Sequence, residues 1–193
     1  GTNTKYGIVD RVGNVVSQGS ISTTQYEEFK DYFHGLADAL RKEINTIPGE
    51  NKIIGVGVGA ANGNYYKGTI ERATNLKWKG IIPLADMFQE EFDLPAIVTN
   101  DANAAAVGEM VYGSAKGMKD FVVITLGTGL GSGFVSNGQL LNGKHGIAGE
   151  VGHTSVNPAG RFCNCGKRGC LETYVSATGI KRTVYKLLAD HLE

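Results

Sequence analysis

Apolar residues recur at helical spacing along several stretches of this chain. The clearest stripe predicts an amphipathic helix over residues 25–44, whose apolar face packs into the core. Its members are Phe29, Phe33, Leu36, Leu40 and Ile44. Residues 82–92 and 102–112 predict two further helices, the latter rich in strong helix formers. A second apolar stripe predicts a closing helix over residues 176–192.

Short runs of β-branched and apolar residues alternate with these helices. Residues 121–126 form the longest such run and predict a buried strand. Residues 53–58 and 96–99 predict two more strands, and the polar stretch 60–79 predicts a loop with an Asn-Gly turn. This alternation of strands and helices predicts an α/β fold.

Two glycine-rich segments of the chain repeat one another. Gly, Thr, Gly and Val recur at matching offsets, at Gly1, Thr2, Gly7 and Val9 and again at Gly127, Thr128, Gly133 and Val135. Each copy predicts a Gly-Thr turn, a strand, a second turn and another strand. Only the second copy shows a strand that leads into its Gly-Thr turn.

A Gly-Thr turn between strands directs backbone N–H groups and a hydroxyl to one point, which suits phosphate oxygens. Two such turns that face each other would hold the β- and γ-phosphates of a nucleotide from both sides. The ordinary interpretation is a pair of hairpins in which glycine relieves crowding. A Walker A loop is excluded, because no Gly-Lys-Ser/Thr follows the glycines.

The three cysteines fall within eight residues, at Cys163, Cys165 and Cys170, and His153 lies ten residues before the first. Three thiolates and one imidazole make a tetrahedral zinc site. A catalytic zinc keeps one coordination position open, whereas four protein ligands leave none. The spacing therefore predicts a structural zinc.

Two carboxylates, Glu150 and Glu172, flank the zinc ligands. An isolated glutamate is ordinarily solvated surface. Here a bound metal would fix the chain that carries both of them. If one nitrogen of His153 binds zinc, the other can donate to a carboxylate or to a ligand oxygen.

Asp101 stands where a predicted strand ends and a predicted helix begins. The ordinary role of aspartate at such a position is to cap the helix. The alternative is a base that accepts the proton of a substrate hydroxyl, favoured in its charged form by the helix N-terminus. Asn100 could offer one donor and one acceptor to neighbouring hydroxyls.

Composition narrows the class of protein. Lys and Arg together number 19, as do Asp and Glu, and no basic stripe stands out, which argues against nucleic acid as a partner of this segment. No apolar run reaches the length of a membrane span, and no secretory leader is visible. An odd, clustered set of cysteines fits metal-bound thiolates in a reducing cytoplasm better than disulfides.

The residues at both ends of the chain indicate that it is a fragment. Gly1 has no methionine before it, and the last residues stop within a helical pattern. We therefore expect a piece of a longer protein.

Four motifs together resemble the ROK family of sugar kinases and sugar-responsive repressors. They are Asn-Asp-Ala-Asn-Ala-Ala-Ala from residue 100, Leu-Gly-Thr-Gly-Leu-Gly from 126, Glu-Val-Gly-His from 150 and Cys-x-Cys-Gly-x-x-Gly-Cys-x-Glu from 163. The resemblance covers nearly the whole chain. It implies an actin-like ATPase fold, with two ribonuclease-H-like lobes and a central cleft, here truncated. Residues 1–115 would form the N-terminal lobe and residues 116–193 the start of the second, joined at 113–119.

The resemblance also implies roles for individual residues. Asp101 is expected to be the catalytic base. The expected sugar ligands are Asn100, Asp101, Glu150, His153 and Glu172, with Asn62, Gly63 and Asn75 from the sugar loop. The expected phosphate loops are Gly1 and Thr2 on one side and Gly127, Thr128 and Gly129 on the other. The expected zinc ligands are His153, Cys163, Cys165 and Cys170.

The activity that the resemblance implies is transfer of a phosphoryl group from Mg²⁺-ATP to the 6-hydroxyl of a hexose, with glucose as the first expectation. A sugar-responsive repressor with the same body is the alternative function, and an N-acetylhexosamine is the alternative substrate. The resemblance further implies a cytoplasmic dimer or tetramer. The family's first phosphate motif begins Asp-x-Gly-Gly-Thr, and this chain starts at the second glycine. Ala60 and Ala61 stand where the family often has Pro-Gly, which leaves the sugar preference open.

Overall fold

The computed structural model describes residues 2–49, 52–73 and 76–191, which form a mixed α/β fold. The expected site residues Gly1 and Asn75 lie outside the described residues. The helices are α1 (Phe29–Ile44), α2 (Leu84–Phe92), α3 (Asp101–Val111), α4 (Glu172–Val175) and α5 (Ala177–Asp190), and a 3₁₀ turn spans Val151–His153. The strands are β1 (Asn3–Val9), β2 (Val15–Ser22), β3 (Val56–Gly59), β4 (Gly63–Asn64), β5 (Thr69–Glu71), β6 (Ile81–Ile82), β7 (Ala96–Thr99), β8 (Phe121–Leu126), β9 (Leu130–Ser136) and β10 (Gln139–Leu140).

The internal repeat appears as two antiparallel hairpins. β1 pairs with β2, and β9 pairs with both β8 and β10. The second turn of each copy contains a glycine in the left-handed region, Gly13 at φ 95° and Gly138 at φ 74°, where a residue without Cβ is favoured. The strands and the second turn predicted for each copy are thus confirmed, whereas the Gly-Thr turn of the first copy includes Gly1, which lies outside the described residues.

A groove of about 890 Å³ separates β1 from β3. Among residues 2–49, 52–73 and 76–191, β1 pairs only with β2, and β3 pairs only with β7, in parallel. Apolar side chains of α1 and α2, including Leu36, Leu40 and Phe88, line the groove. In the second repeat the corresponding edge, that of β9, is occupied by β8.

The apolar stripe predicted for α1 lies in the core. Phe33 and Leu36 are 3% and 5% exposed, and the ring of Phe33 meets that of Phe88 edge-on at 5.1 Å. Each such side chain stabilises the fold by about 1.5–3 kcal/mol through burial. Val98 of β7 is fully buried against the same cluster, so the cluster fixes the strand that leads into α3.

The starts of two helices differ from the prediction by two residues or more, whereas those of α3 and α5 lie within one residue of it. α1 begins at Phe29 rather than at residue 25, because Tyr26 folds back over the helix, with its ring 5.9 Å from that of Tyr32. α2 begins at Leu84 rather than at residue 82, since the residue before Pro83 is disfavoured in a helix. Ile82 instead belongs to β6.

Three predictions about strands are also wrong in part. The strand predicted over residues 53–58 is β3, which begins at Val56 and ends at Gly59. The predicted loop 60–79 contains β4 and β5, which pair in a small sheet with β6 and are too short to show a periodic pattern. β8 has the predicted bounds, but it is not buried on both faces: Val122, Ile124 and Leu126 are 45–61% exposed. α3 covers the other face of this hairpin. No helix among the described residues is long and apolar enough to cross a bilayer.

Candidate functional site

The four expected zinc ligands come together in space. His153 ends the 3₁₀ turn, and the three cysteines lie on the following segment, residues 154–171, which we call the metal loop. The ligand atoms of His153, Cys163, Cys165 and Cys170 all lie within 4.8 Å of one another. The Sγ atoms of Cys165 and Cys170 are 3.6 Å apart, as are Cys163 Sγ and His153 Nδ1. Two sulfur atoms that share one zinc at about 2.3 Å lie about 3.8 Å apart in a tetrahedron, so this donor set fits zinc.

Backbone contacts explain why the metal loop folds so tightly. Cys163 N donates to Lys167 O at 2.9 Å, and Gly166 N donates back to Cys163 O at 3.0 Å. Gly169 has φ 74°, and a Cβ there would collide with the carbonyl of Asn157. Glycine is therefore required at that position.

The thiols of the cluster differ in acidity. Burial raises the pKa of Cys163 to about 12, and its hydrogen bond to Glu172 acts in the same direction. Burial also acts to raise the pKa of Cys165, but the backbone N–H of Lys167 and the neighbouring thiols outweigh it, so that pKa is lowered. Zinc binds thiolates, so metal binding must displace the Cys163 proton.

Glu172 joins the metal cluster to the second Gly-Thr turn. Its Oε1 accepts a hydrogen bond from Cys163 Sγ at 3.0 Å and lies 3.7 Å from His153 Nδ1. Its Oε2 would lie 2.8 Å from a Cβ built on Gly129. One carboxylate thus touches both the expected metal ligands and the second Gly-Thr turn, a bridging position that the sequence pattern did not reveal.

Glu150 lies on the other side of the imidazole. Its Oε2 is 4.0 Å from His153 Nε2, so the two ring nitrogens face two different carboxylates. Burial raises the pKa of Glu150, and the charge of His153 lowers it. Asp101 and Glu172 also raise it through their negative charge. Two carboxylates from other parts of the sequence therefore lie close enough to act on that of Glu150.

Asn100, rather than Asp101, caps α3. Its Oδ1 accepts from the backbone N–H groups of Ala102 at 2.8 Å and Asn103 at 3.4 Å. Asp101 is the first helical residue, its side chain is exposed, and its Oδ1 accepts from Ala102 N at 3.0 Å. The capping role considered for Asp101 is therefore wrong, and its carboxylate remains accessible.

Close packing between glycine and alanine fixes the N-terminal half of α3. A Cβ on Gly133 of β9 would lie 2.6 Å from that of Ala106, and one on Gly59 of β3 would lie 3.0 Å from that of Ala104. α3 thus contacts strands on both sides of the expected lobe boundary. Asp101 is held between them.

The second Gly-Thr turn rests on the start of α5. Gly127 N donates to Gly129 O at 3.0 Å, and Ala177 N donates to Gly127 O at 3.0 Å. Thr128 is exposed and lines a hollow of about 110 Å³ that Glu172 and the first turn of α5 also line. In the Gly-Thr turn of the first repeat, Thr2 is exposed, and its carbonyl oxygen accepts a hydrogen bond from Thr23 N at 2.9 Å. The phosphate role of both turns stays a prediction.

The expected sugar loop makes mainly internal contacts. The Asn62 side chain is exposed and donates to Glu71 O at 3.0 Å. Gly63 is buried, and a Cβ there would collide with the carbonyl of Thr99. Sequence reasoning missed Asn64, which is 5% exposed and donates to His145 O at 3.3 Å. Its place in the same Asn-Gly-Asn triplet was the available signal.

Comparison with known proteins identifies the family. The ROK family profile matches residues 1–191. This chain belongs to the ROK family. A glucokinase from Halalkalibacterium halodurans is 43% identical over 196 residues, which cover 100% of this chain and 59% of that protein. A xylose repressor from Caldicellulosiruptor bescii is 35% identical over 185 residues, which cover 94% of this chain and 46% of that protein.

A solved ROK structure confirms the fold class. The crystal structure of a ROK family glucokinase from Streptomyces griseus, in complex with glucose and AMPPNP, matches with a TM-score of 0.78 and 34% identity. The match covers 98% of this chain and 59% of that one. The actin-like ATPase fold expected from the sequence is thereby confirmed. The chain spans about half to three-fifths of the length of these ROK relatives.

Proposed function

We propose that this ROK protein transfers the γ-phosphoryl group of Mg²⁺-ATP to the 6-hydroxyl of a hexose, with glucose as the preferred sugar. One observation carries the proposal: His153 lies 4.0 Å from the Glu150 carboxylate and 3.7 Å from that of Glu172, and Glu172 in turn adjoins Gly129 of the second Gly-Thr turn. This adjacency of carboxylates to a glycine-rich turn supports a site that binds sugar hydroxyls beside phosphate oxygens.

Asp101 acts as the base in this proposal. Its accessible carboxylate accepts the proton of the 6-hydroxyl as the oxygen attacks the γ-phosphorus and the bond to the ADP oxygen breaks. Phosphoryl transfer through a loose transition state depends more on alignment than on a strong base. A carboxylate held rigidly at the end of a packed helix suits that requirement.

The other polar groups orient the sugar and the nucleotide. Asn100, Glu150, His153 Nε2 and Glu172 bind sugar hydroxyls. Asn62, Gly63 and Asn75 contribute from the sugar loop. Gly1 and Thr2 bind phosphate oxygens from one side, and Gly127, Thr128 and Gly129 bind them from the other. Lobe 1–115 and lobe 116–193 close over the sugar and exclude water as a competing acceptor.

His153, Cys163, Cys165 and Cys170 would hold the zinc. When bound, zinc supplies a structural cross-link among these four side chains. His153 and the metal loop thereby keep Glu150 and Glu172 at fixed positions, because each glutamate lies within three residues of a ligand. The proposed setting is the cytoplasm, and the proposed assembly is a dimer or tetramer.

A sugar-responsive repressor is the second candidate, since a xylose repressor is 35% identical over 94% of this chain. The accessible Asp101 carboxylate and the two Gly-Thr turns favour the kinase. An N-acetylhexosamine is the alternative substrate, and the shape of the pocket near the sugar C2 decides between the two.

A coupled assay on a polypeptide that extends this chain to the full length of its ROK relatives tests the proposal. Glucose, mannose, fructose and N-acetylglucosamine are compared as acceptors with ATP and Mg²⁺. We expect glucose to have the highest kcat/KM and Asp101→Asn to abolish most of the turnover. Absence of turnover with every sugar, together with sugar-dependent release of operator DNA, would instead support the repressor.

A further inference from the structure

Arg161 links the metal loop to the helices that follow it. Its Nη1 donates to Thr173 O at 2.6 Å and to Gly179 O at 2.9 Å. Its Nη2 donates to Thr183 Oγ1 at 2.7 Å. The guanidinium also stacks on Tyr174, 4.7 Å from the ring centroid. One side chain thus binds the backbone and an aromatic ring of α4 and two residues of α5.

The backbone of Arg161 takes part in the same contact. Arg161 N donates to the Tyr174 hydroxyl at 3.2 Å. A Cβ on the preceding Gly160 would collide with that hydroxyl. The metal loop therefore approaches Tyr174 closely enough to be fixed against it at two points.

The segment that Arg161 holds carries two parts of the proposed site. Glu172 is the first residue of α4, and its carboxylate adjoins both Cys163 and Gly129. Ala177 is the first residue of α5, and its N–H donates to Gly127 O at 3.0 Å. A shift of α4 and the start of α5 would therefore move Glu172 and the second Gly-Thr turn together.

We propose that Arg161 is a positioning residue that keeps the second Gly-Thr turn and Glu172 in register with the metal loop. The inference rests on the proposed kinase function for its catalytic consequence, although the contacts stand independently of it. Arginine suits the role because its planar fork can serve three acceptors and stack on an aromatic ring at once. A lysine ammonium retains the charge and lacks that geometry.

The experiment compares Arg161→Gln and Arg161→Lys with Arg168→Gln in the zinc-loaded, full-length protein. Arg168 is a matched control, since it lies on the same loop and is exposed, and within the described part of the chain its side chain makes one hydrogen bond, at 3.4 Å to Gly160 O. Zinc content is measured by elemental analysis, and KM for ATP and kcat by the coupled assay. Hydrogen–deuterium exchange is measured for residues 126–130 and 173–180.

We expect Arg161→Gln to keep its zinc and to raise KM for ATP about 10- to 100-fold, because a displacement of about 1 Å is enough for such a loss. Amide exchange should accelerate in both segments and stay unchanged in α1. Arg161→Lys should raise KM for ATP by more than half as much as Arg161→Gln does, on a logarithmic scale. Arg168→Gln should stay within about twofold of the parent protein in every measurement.

The proposal is overturned if zinc-loaded Arg161→Gln has the KM for ATP and the exchange rates of the parent protein. It is equally overturned if activity falls only in proportion to lost zinc, since Arg161 would then serve metal retention alone. Thr183→Val removes one acceptor and leaves the arginine in place, so it tests the same contact if Arg161→Gln does not fold. If the parent protein phosphorylates no sugar, the proposed function fails, and the exchange data still decide the role of Arg161.

Discussion

Replacement of Gly133 by alanine is the sharpest test of how α3 is held. The new methyl group would lie 2.6 Å from Cβ of Ala106 and 2.9 Å from the carbonyl oxygen of Ala102. Carbon atoms in ordinary contact lie about 3.5–4.0 Å apart, so α3 or β9 must move by about 1 Å. Overpacking of this kind destabilises a fold by about 1–3 kcal/mol.

The same displacement has a catalytic consequence in the proposed function. α3 begins at Asp101, and a shift of about 1 Å at the base is expected to lower turnover by as much as about 100-fold. Urea unfolding gives the loss of stability, and the coupled assay under conditions where the protein remains folded gives the loss of turnover.

Gly57→Ala is the matched control for Gly133→Ala. Gly57 also lies in a strand, and a Cβ there would meet none of the described atoms within 4 Å. We expect this variant to be neutral or more stable by up to about 1 kcal/mol, because alanine reduces the entropy of the unfolded chain. Equal stability and equal turnover of the two variants would refute the packing argument.

Three further outcomes are expected. Asp101→Asn should lower kcat by about 10²–10⁴-fold and change sugar binding little, since it removes the base but keeps the size of the side chain; calorimetric sugar titration beside the coupled assay checks this, and near-normal turnover would remove Asp101 from its role. Cys165→Ser should lose zinc and loosen Glu150 and Glu172 together; unchanged zinc content in elemental analysis would contradict the assigned ligand set. Asn64→Ala should lower the free energy of unfolding by about 1–3 kcal/mol, because Tyr66 N and Lys67 N lose their acceptor and His145 O loses a donor; a urea midpoint equal to that of the parent protein would show that these bonds are worth little.

The elements with a strong local pattern could be predicted from the sequence. β7 and β8 have the predicted bounds, and the apolar stripe of α1 lies in the core. The start of α1 depends on a tertiary contact, since Tyr26 folds back over the helix. The start of α2 depends on Pro83, a local signal that the apolar pattern alone did not take into account. β4 and β5 were missed because two or three residues cannot display a period.

Some residues of the candidate site could likewise be predicted from the sequence, and others could not. The four zinc ligands could be predicted as a set because three clustered cysteines with a nearby histidine are typical of a zinc site. The bridging position of Glu172 could not, since it depends on how α4 lies against Gly129. The role of Arg161 could not be predicted either. An arginine near metal ligands ordinarily lies at the protein surface, and the hydrogen-bond partners of this one follow it by 12 to 22 residues in the sequence.

Under the proposed function, the distribution of charge in the site favours binding of the neutral sugar over binding of the sugar phosphate. The negative charges of Asp101 and Glu172 both act on the Glu150 carboxyl, whereas the proposed phosphate ligands are backbone N–H groups of the Gly-Thr turn. A neutral sugar donates hydroxyl protons to carboxylates without repulsion. Once its 6-oxygen carries a phosphoryl group, each charge pair at about 4 Å is unfavourable by about 1 kcal/mol in water and about 4 kcal/mol near a protein surface. The carboxylates that align the substrate therefore also favour departure of the product, and the neutral Asp101→Asn protein should bind the sugar phosphate more tightly than the parent protein does.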